Sequence, residues 1–382
     1  RKYITIYFLF LYYLKSLFTQ NKISAIISHK SLKGDIIMFI EDNKELINKA
    51  RFLEDFLDSF VSDTYYSNNI IFTNITDYLA LITFLEENIL LSNKNEVNNI
   101  DYTLFTKSTK EENVNIVNKF YRNLNINFDI NKEVEKENIS YHTHDITKFS
   151  KDKDIELEKL IFGSCIPKAN NGSPKILIPN NGLLSDSVTL VHELSHYRNY
   201  PWSKVGDNFT EVLSFAEETI YLDYLLRLGY KYEFYKINTI NYDSFYDNIK
   251  KLIPTYRILT LYLKYENLSP QIYQNNFPKT SYKKDIEAIY NNIFNIFQTF
   301  TNSTYHMLGY LLGVHLYIEC KQNKDYLNLI EQMHTNINKY SYEECLNILN
   351  LYPLKDKITI LTDDINKINT SIKKRQYKKP LL

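Results

Sequence analysis

Apolar residues recur at helical spacing across 41–65, where Leu46, Ile47, Phe52, Leu53, Phe56, Leu57 and Phe60 share one face. This predicts an amphipathic helix with a single buried side, and 76–92 reads as a second helix. From 93 to 158 the chain is polar and rich in Asn, Lys and Glu, with one apolar patch near Val114–Phe128. That stretch divides an N-terminal helical region, 1–150, from a second domain, 151–382. Beyond it the texture changes. Lys175-Ile176-Leu177-Ile178-Pro179 is short and β-branched, bounded by Gly172 and by Asn180-Asn181-Gly182, so it reads as a strand running into a turn. Ser185 or Asp186 is placed to cap a helix that runs through Val188, Leu190, Val191 and Leu194 to about Tyr200, where Pro201 stops it. Asp207 can cap the next helix, which reaches Leu228 and ends at Gly229. Helical patterning returns at 284–300, 303–320 and 341–351, and the basic SIKKRQYKK near the end reads as a solvated tail.

Composition narrows the picture. A chain of 382 residues, 44% hydrophobic, can bury one large or two medium cores, and its 8 Gly and 9 Pro favour long helices over many short strands. Lys+Arg and Asp+Glu each number 45, so no basic excess marks nucleic acid or an anionic membrane as a partner. Cys165, Cys320 and Cys345 form neither a disulfide framework nor a Cys-x-x-Cys metal pair, which points to a reducing, cytoplasmic setting. The chain opens on Arg1 rather than Met, so its start reads as truncated or processed. Tyr3–Leu14 is apolar, but it is too short to span a bilayer and no small-x-small cleavage site follows. A buried helix is expected there rather than membrane insertion or a leader.

The chemistry concentrates in His192-Glu193-Leu194-Ser195-His196. On a helix, positions i and i+4 share a face, so both imidazoles can reach one metal ion. Glu193 lies about 100° round from His192 and is free to face a water instead of the metal. Zinc accepts two imidazoles, a carboxylate and a water, and brings that water's pKa to about 7, where a neighbouring carboxylate can take its proton. A third protein ligand is needed. His196 and Glu211 each lie about one turn from the loop joining the two helices, which puts them at similar height in a helical hairpin. Glu218 shares the Glu211 face two turns on and suits the orienting of a ligand imidazole.

Residues Phe162–Leu226 resemble the catalytic core of the thimet oligopeptidase/oligoendopeptidase F family of zinc peptidases. PKILIPNNGLLSDSVTLVHELSH is similar to that family's substrate-binding strand, turn and active-site helix in order, and Gly163-Ser164-Cys165 to the small–aromatic–Cys segment before the strand. TEVLSFAEETIYLDYLL resembles its second helix, in which the first Glu of Glu-x-x-Ser-x-x-x-Glu is the third zinc ligand. That pattern maps onto Glu211, Ser214 and Glu218. The segment around Tyr305, His306 and Tyr310 resembles a tyrosine-rich helix whose donors stabilise the oxyanion, although helical spacing cannot turn all three toward one point. The resemblance implies a mainly α, multi-helix metallopeptidase fold with a small sheet beside the active-site helix, and one Zn2+ per chain. It also implies a channel for short peptides, whose backbone would pair with Lys175, Ile176, Leu177 and Ile178. The chain departs from the family's pattern at Ser195, where Gly is usual, at Asn199, where a His commonly stands, and at Phe300, which aligns with a His.

Other candidates read more plainly. His142-Thr143-His144 reads as a surface loop, and His315 and His334 on apolar helical faces read as satisfied core or boundary histidines. Two rival readings stand beside the oligopeptidase: a peptide-binding homologue that has lost oxyanion donors, as the Phe300 departure suggests, and a secreted metalloprotease.

Overall fold

The computed structural model describes residues 44–61, 75–89, 104–142, 163–166, 174–199, 207–291, 293 and 296–376. The expected helix at Tyr3–Leu14, Pro201 and His144 lie outside them. The chain divides into two units, Arg1–Lys49 and Ala50–Leu382. Of the first, residues 44–49 are described. They open helix α1 (Lys44–Val61), and Lys49 pairs with Glu45 at 2.8 Å.

Within the second unit α1 buries Leu53, Leu57 and Phe60, three of the positions that its periodicity marks. Helix α2 (Ile75–Asn88) follows. Helix α3 (Lys110–Asn123) starts on a reciprocal cap: Thr109 Oγ1 accepts the Glu112 N–H at 3.2 Å and Glu112 accepts the Thr109 N–H at 2.8 Å. After α4 (Ile130–Glu135) come three short strands, β1 (Ile139–His142), β2 (Ser164–Ile166) and β3 (Lys175–Pro179). Helices α5 (Ser185–Arg198), α6 (Asp207–Arg227), α7 (Lys231–Tyr265), α8 (Pro270–Asn276), α9 (Tyr282–Tyr290) and α10 (Ile296–Gln322) follow. Then α11 (Asp325–Asn336), α12 (Tyr342–Ile348) and α13 (Ile358–Gln376) complete the described chain. The fold is mainly α with one small sheet.

Strand order is β1-β3-β2, with β1 parallel and β2 antiparallel to β3. Ile139 stands opposite Ile176 and Ser164 opposite Leu177. One face of this sheet feeds a continuous apolar core. It joins Val117, Phe120 and Tyr121 of α3, Ile139 of β1, Ile176 and Ile178 of β3, Leu190 and Leu194 of α5, and Leu222 of α6. Strands from both sides of residue 150 thus share one sheet and one core. The most extensive helix pairing is α6 with α10, then α5 with α6, so the motif helix is held on the pair that carries Glu211.

One expectation shifts. The helix expected over 284–300 is interrupted: α9 is capped at Asn291 and α10 begins at Ile296, running unbroken through 303–320. Asparagine competes for backbone hydrogen bonds and so suits helix ends better than interiors. The basic end begins within a helix, α13 continuing through Gln376. Among the described residues, no helix is long and apolar enough to cross a membrane.

Candidate metal centre

Strand β3 runs through Asn180–Gly182 into α5, and the turn is tied down by Asp186. Its carboxylate accepts the Asn181 N–H at 2.8 Å and the Asn181 side-chain amide at 2.9 Å. Asp186 was expected as a possible helix cap. Instead the helix begins one residue earlier, its N-cap Leu184 has no side-chain bond, and the buried carboxyl serves the turn, where burial lifts it to about 6. Val188, Leu190, Val191 and Leu194 are buried, which leaves His192 and His196 together on the face toward α6. Their rings sit 5.0 Å apart at 67°.

The opposing carboxylate is brought in by close helix packing. A Cβ added at Gly309 of α10 would lie 2.7 Å from Glu211 Cβ, and one at Gly313 would lie 2.7 Å from Phe215 Cβ. Only residues without side chains let α10 press this close under α6. Three side chains then converge: His192 Nε2 and His196 Nε2 lie 3.3 Å apart, one Glu211 oxygen (Oε2) is 3.5 Å from the first, and the other (Oε1) is 3.4 Å from the second. An ion bonded tetrahedrally to N and O at 2.0–2.1 Å holds neighbouring ligand atoms about 3.3–3.4 Å apart. The distance between the two imidazole nitrogens fits that figure, and each lies near one oxygen of the Glu211 carboxylate. Glu211 Oε2, moreover, is buried without a hydrogen-bond partner, a costly state for a carboxylate that a cation would relieve.

The ring orientations suit the same end. Glu218 Oε2 faces His192 Nδ1 at 2.8 Å, and Asn241 of α7 donates to Glu218 Oε1 at 2.5 Å. With a proton on Nδ1 held by Glu218, loss of the second proton would leave the Nε2 lone pair facing His196 and Glu211. Burial alone would depress the His192 imidazolium, but Glu211 and Glu218 outweigh it and raise its pKa well above the ordinary value. Burial likewise pushes Glu211 up, yet the charges of His306 and His196 and its contacts with the imidazoles bring it well below the ordinary carboxylate. The carboxylates of Glu211 and Glu218 thus favour positive charge on the neighbouring imidazole of His192. Glu193 differs. It is 7% exposed, burial raises its carboxyl against the pull of His192 and His196, and Gly163 beside β2 packs so tightly on it that a Cβ there would meet Glu193 Cγ at 2.7 Å.

No family model matches this sequence, and no curated protein matches it. Among solved structures the chain is similar to a crystal structure of a "putative oligoendopeptidase F" from Bacillus anthracis str. Ames, with 16% identity and a TM-score of 0.47. The match covers 88% of this chain and spans 65% of that one. A likeness of that size has no bearing on the chemistry of the site, which rests on the geometry above.

The remaining sequence-predicted residues divide. His306 lies at the cluster, half-exposed, its Nδ1 3.6 Å from Glu211 Oε2. Tyr310 is buried, its hydroxyl without a hydrogen-bond partner and its ring on Phe215 and Phe245 at 5.6 and 5.2 Å. Tyr305 is buried too, where its phenol bears on Tyr78 and Tyr256. Ser214 Oγ is buried without a hydrogen-bond partner and so orients neither carboxylate nor imidazole. Of Lys175, Ile176, Leu177 and Ile178 on the central strand β3, Ile176 and Leu177 are matched by both β1 and β2, Lys175 by β2 and Ile178 by β1. Sequence reasoning did not reach Phe215, which meets His192 edge-on at 5.0 Å, or Asn241. Only the spacing of Gly309 and Gly313 hinted at the close approach of α10.

Proposed function

We propose that the chain is a zinc-dependent peptidase that hydrolyses short peptides. The observation that carries this reading is the convergence of His192, His196 and Glu211, whose ligand atoms lie within 4.8 Å of one another, beside a fourth residue, Glu193, that is not part of the group. In this reading His192, His196 and Glu211 hold the ion and Glu218 keeps the His192 ring turned. A bound zinc ion would supply Lewis acidity, lowering the pKa of a water to about 7 and polarising a carbonyl. Glu193 accepts the proton of the attacking water at its carboxylate and returns it to the departing amine. Its raised pKa suits both halves of that task, since a poised carboxyl gives the proton up as readily as it takes it. His306, the donor of the expected segment that lies at the site, hydrogen-bonds the developing oxyanion.

Peptide is proposed to bind as an added strand on β2 rather than β3. Among the described residues β2 is paired on one side only, and it begins beside Gly163, which touches Glu193. Main-chain pairing there would bring a peptide carbonyl to the base with little demand on its side chains.

The burial of Tyr305 and Tyr310 favours a second reading, a peptide-binding protein with weakened catalysis. One experiment separates the two: digestion of a quenched fluorescent peptide by the parent and by Glu193→Gln, with and without chelator, beside metal analysis. Cleavage that depends on both metal and Glu193 supports the peptidase. Tight peptide binding without cleavage by the parent supports the second reading, and absence of bound metal defeats the first.

A further inference from the structure

The C-terminal turn of α5 enters a second buried cluster of charge that the proposed chemistry does not use. Arg198 stands two residues after His196. Its Nη1 donates to Glu217 Oε1 of α6 at 2.7 Å, and its Nη2 reaches both oxygens of Glu331 on α11 at 2.7 and 2.6 Å. Tyr121 of α3 donates to the other Glu217 oxygen at 3.0 Å, and its ring lies 5.3 Å from the guanidinium carbon. His334 of α11 sets one ring nitrogen against Glu217 Oε1 and the other against Asn199 Oδ1, the latter at 2.6 Å. Four helices therefore meet at one guanidinium.

Glu217, Glu331 and His334 alone resemble a metal site, since their ligand atoms lie within 4.8 Å of one another. The difference from the first cluster is that a cation is already built in. Arg198 is 9% exposed and carries the charge that two carboxylates require, in the forked geometry a guanidinium offers. The two clusters are fixed to each other by the same two helices: Arg198 follows His196 on α5, and Glu217 lies about 9 Å along α6 from Glu211. A shift of Arg198 along or around α5 must move His196 with it, because a helical turn is stiff.

Resting on the metal reading above, we infer that Arg198 is a positioning residue for the His192–His196–Glu211 centre. Its ion pairs with Glu217 and Glu331 set the height and rotation at which His196 faces Glu211. The guanidinium stays clear of the proposed reaction and acts through the backbone of the last turn.

The test uses the full chain and the variants Arg198→Met, Arg198→Lys and Glu331→Gln, each titrated with Zn2+ against a chromophoric chelator. Visible absorption of the Co2+-loaded protein reads ligand geometry, and far-ultraviolet circular dichroism checks the fold. Arg198→Met should keep its helical signal, lose about 10- to 100-fold in zinc affinity, and show displaced cobalt bands. Arg198→Lys should recover part of the loss, because it restores the charge without the fork. If Arg198→Met does not fold, Glu331→Gln decides, with a smaller loss in the same direction. Unchanged zinc affinity and an unchanged cobalt spectrum in the folded variants would overturn the inference while leaving the centre standing. A parent chain that binds neither metal would bring down the centre, and this inference with it.

Discussion

Gly309→Ala isolates the packing that delivers Glu211 to the site, since it adds one carbon on a helix that contributes no proposed ligand. The new Cβ would stand 2.7 Å from Glu211 Cβ and 3.0 Å from both the Glu211 carbonyl carbon and Phe215 Cδ2. Ordinary contact begins near 3.4 Å, so α6 and α10 must separate by about 0.7 Å, and the backbone atom among the three cannot swing aside. Two effects oppose each other. Alanine favours a helix over glycine by about 1 kcal/mol, whereas overpacking a close interface costs about 1–3 kcal/mol. The net is a loss of up to about 2 kcal/mol, seen in urea titration. The metal effect should be sharper, because ligand distances tolerate only about 0.2 Å, well under the forced shift. We expect zinc affinity by chelator competition to fall at least 10-fold, roughly the cost of losing an outer partner of a ligand. Gly313→Ala meets Phe215 and Ala216 instead, so it should destabilise comparably and weaken metal less. If Gly309→Ala proves as stable and binds zinc as tightly as the parent, close approach at this glycine does not set the position of Glu211.

Further outcomes follow from the same geometry. Glu193→Gln should retain metal while peptide cleavage drops by about 10²–10⁴-fold, the usual contribution of a general base; equal turnover in the two proteins would reassign that role. Glu211→Ala should lose more metal affinity than Glu218→Ala, measured by chelator competition, and the opposite order would exchange ligand and orienting carboxylate. Burial pushes Glu217 up, but Arg198 and His334 outweigh it and bring its pKa from the ordinary 4.5 to about 2. A depressed carboxyl contributes its stability above 4.5 and loses it as pH falls toward 2, here about 3 kcal/mol. Urea titrations at pH 7 and pH 3 should show about 2 kcal/mol of that loss in the parent and not in Glu217→Gln, because the folded carboxyl is still largely ionised at pH 3; parallel losses would show that Glu217 does not carry it.

Local signals made part of this molecule legible. The helical spacing of His192 and His196, the turn residues ahead of α5 and the similar height of His196 and Glu211 are all short-range, and they describe the hairpin that brings the three together. What stayed hidden depends on partners distant in sequence. The central place of β3 follows from pairing with Ile139–His142, a strand inside a polar stretch that gives no cue of its own. Buried polar groups mislead pattern reading too. Glu217, Glu218 and Asp223 sit on covered faces of α6 where periodicity calls for apolar side chains, and their partners lie on α3, α5, α7, α10 and α11. The 35-residue α7, rich in Asn and Tyr and containing Pro254, offered no clean stripe, so Asn241 could not be linked to Glu218. Resemblance draws Tyr305 and Tyr310 toward the site, and α10 buries both, a feature its sequence does not announce.

The parallel ladder between Ile139–His142 and Lys175–Pro179 bears on how the protein can be dissected. A fragment beginning at residue 151 would keep every proposed ligand yet leave the backbone of Ile176, Leu177 and Ile178 without its neighbour along one side. Bare amide and carbonyl groups flanked by apolar residues recruit strands from other molecules, so such a fragment should self-associate before it can be assayed. A functional piece must therefore begin upstream of Ile139.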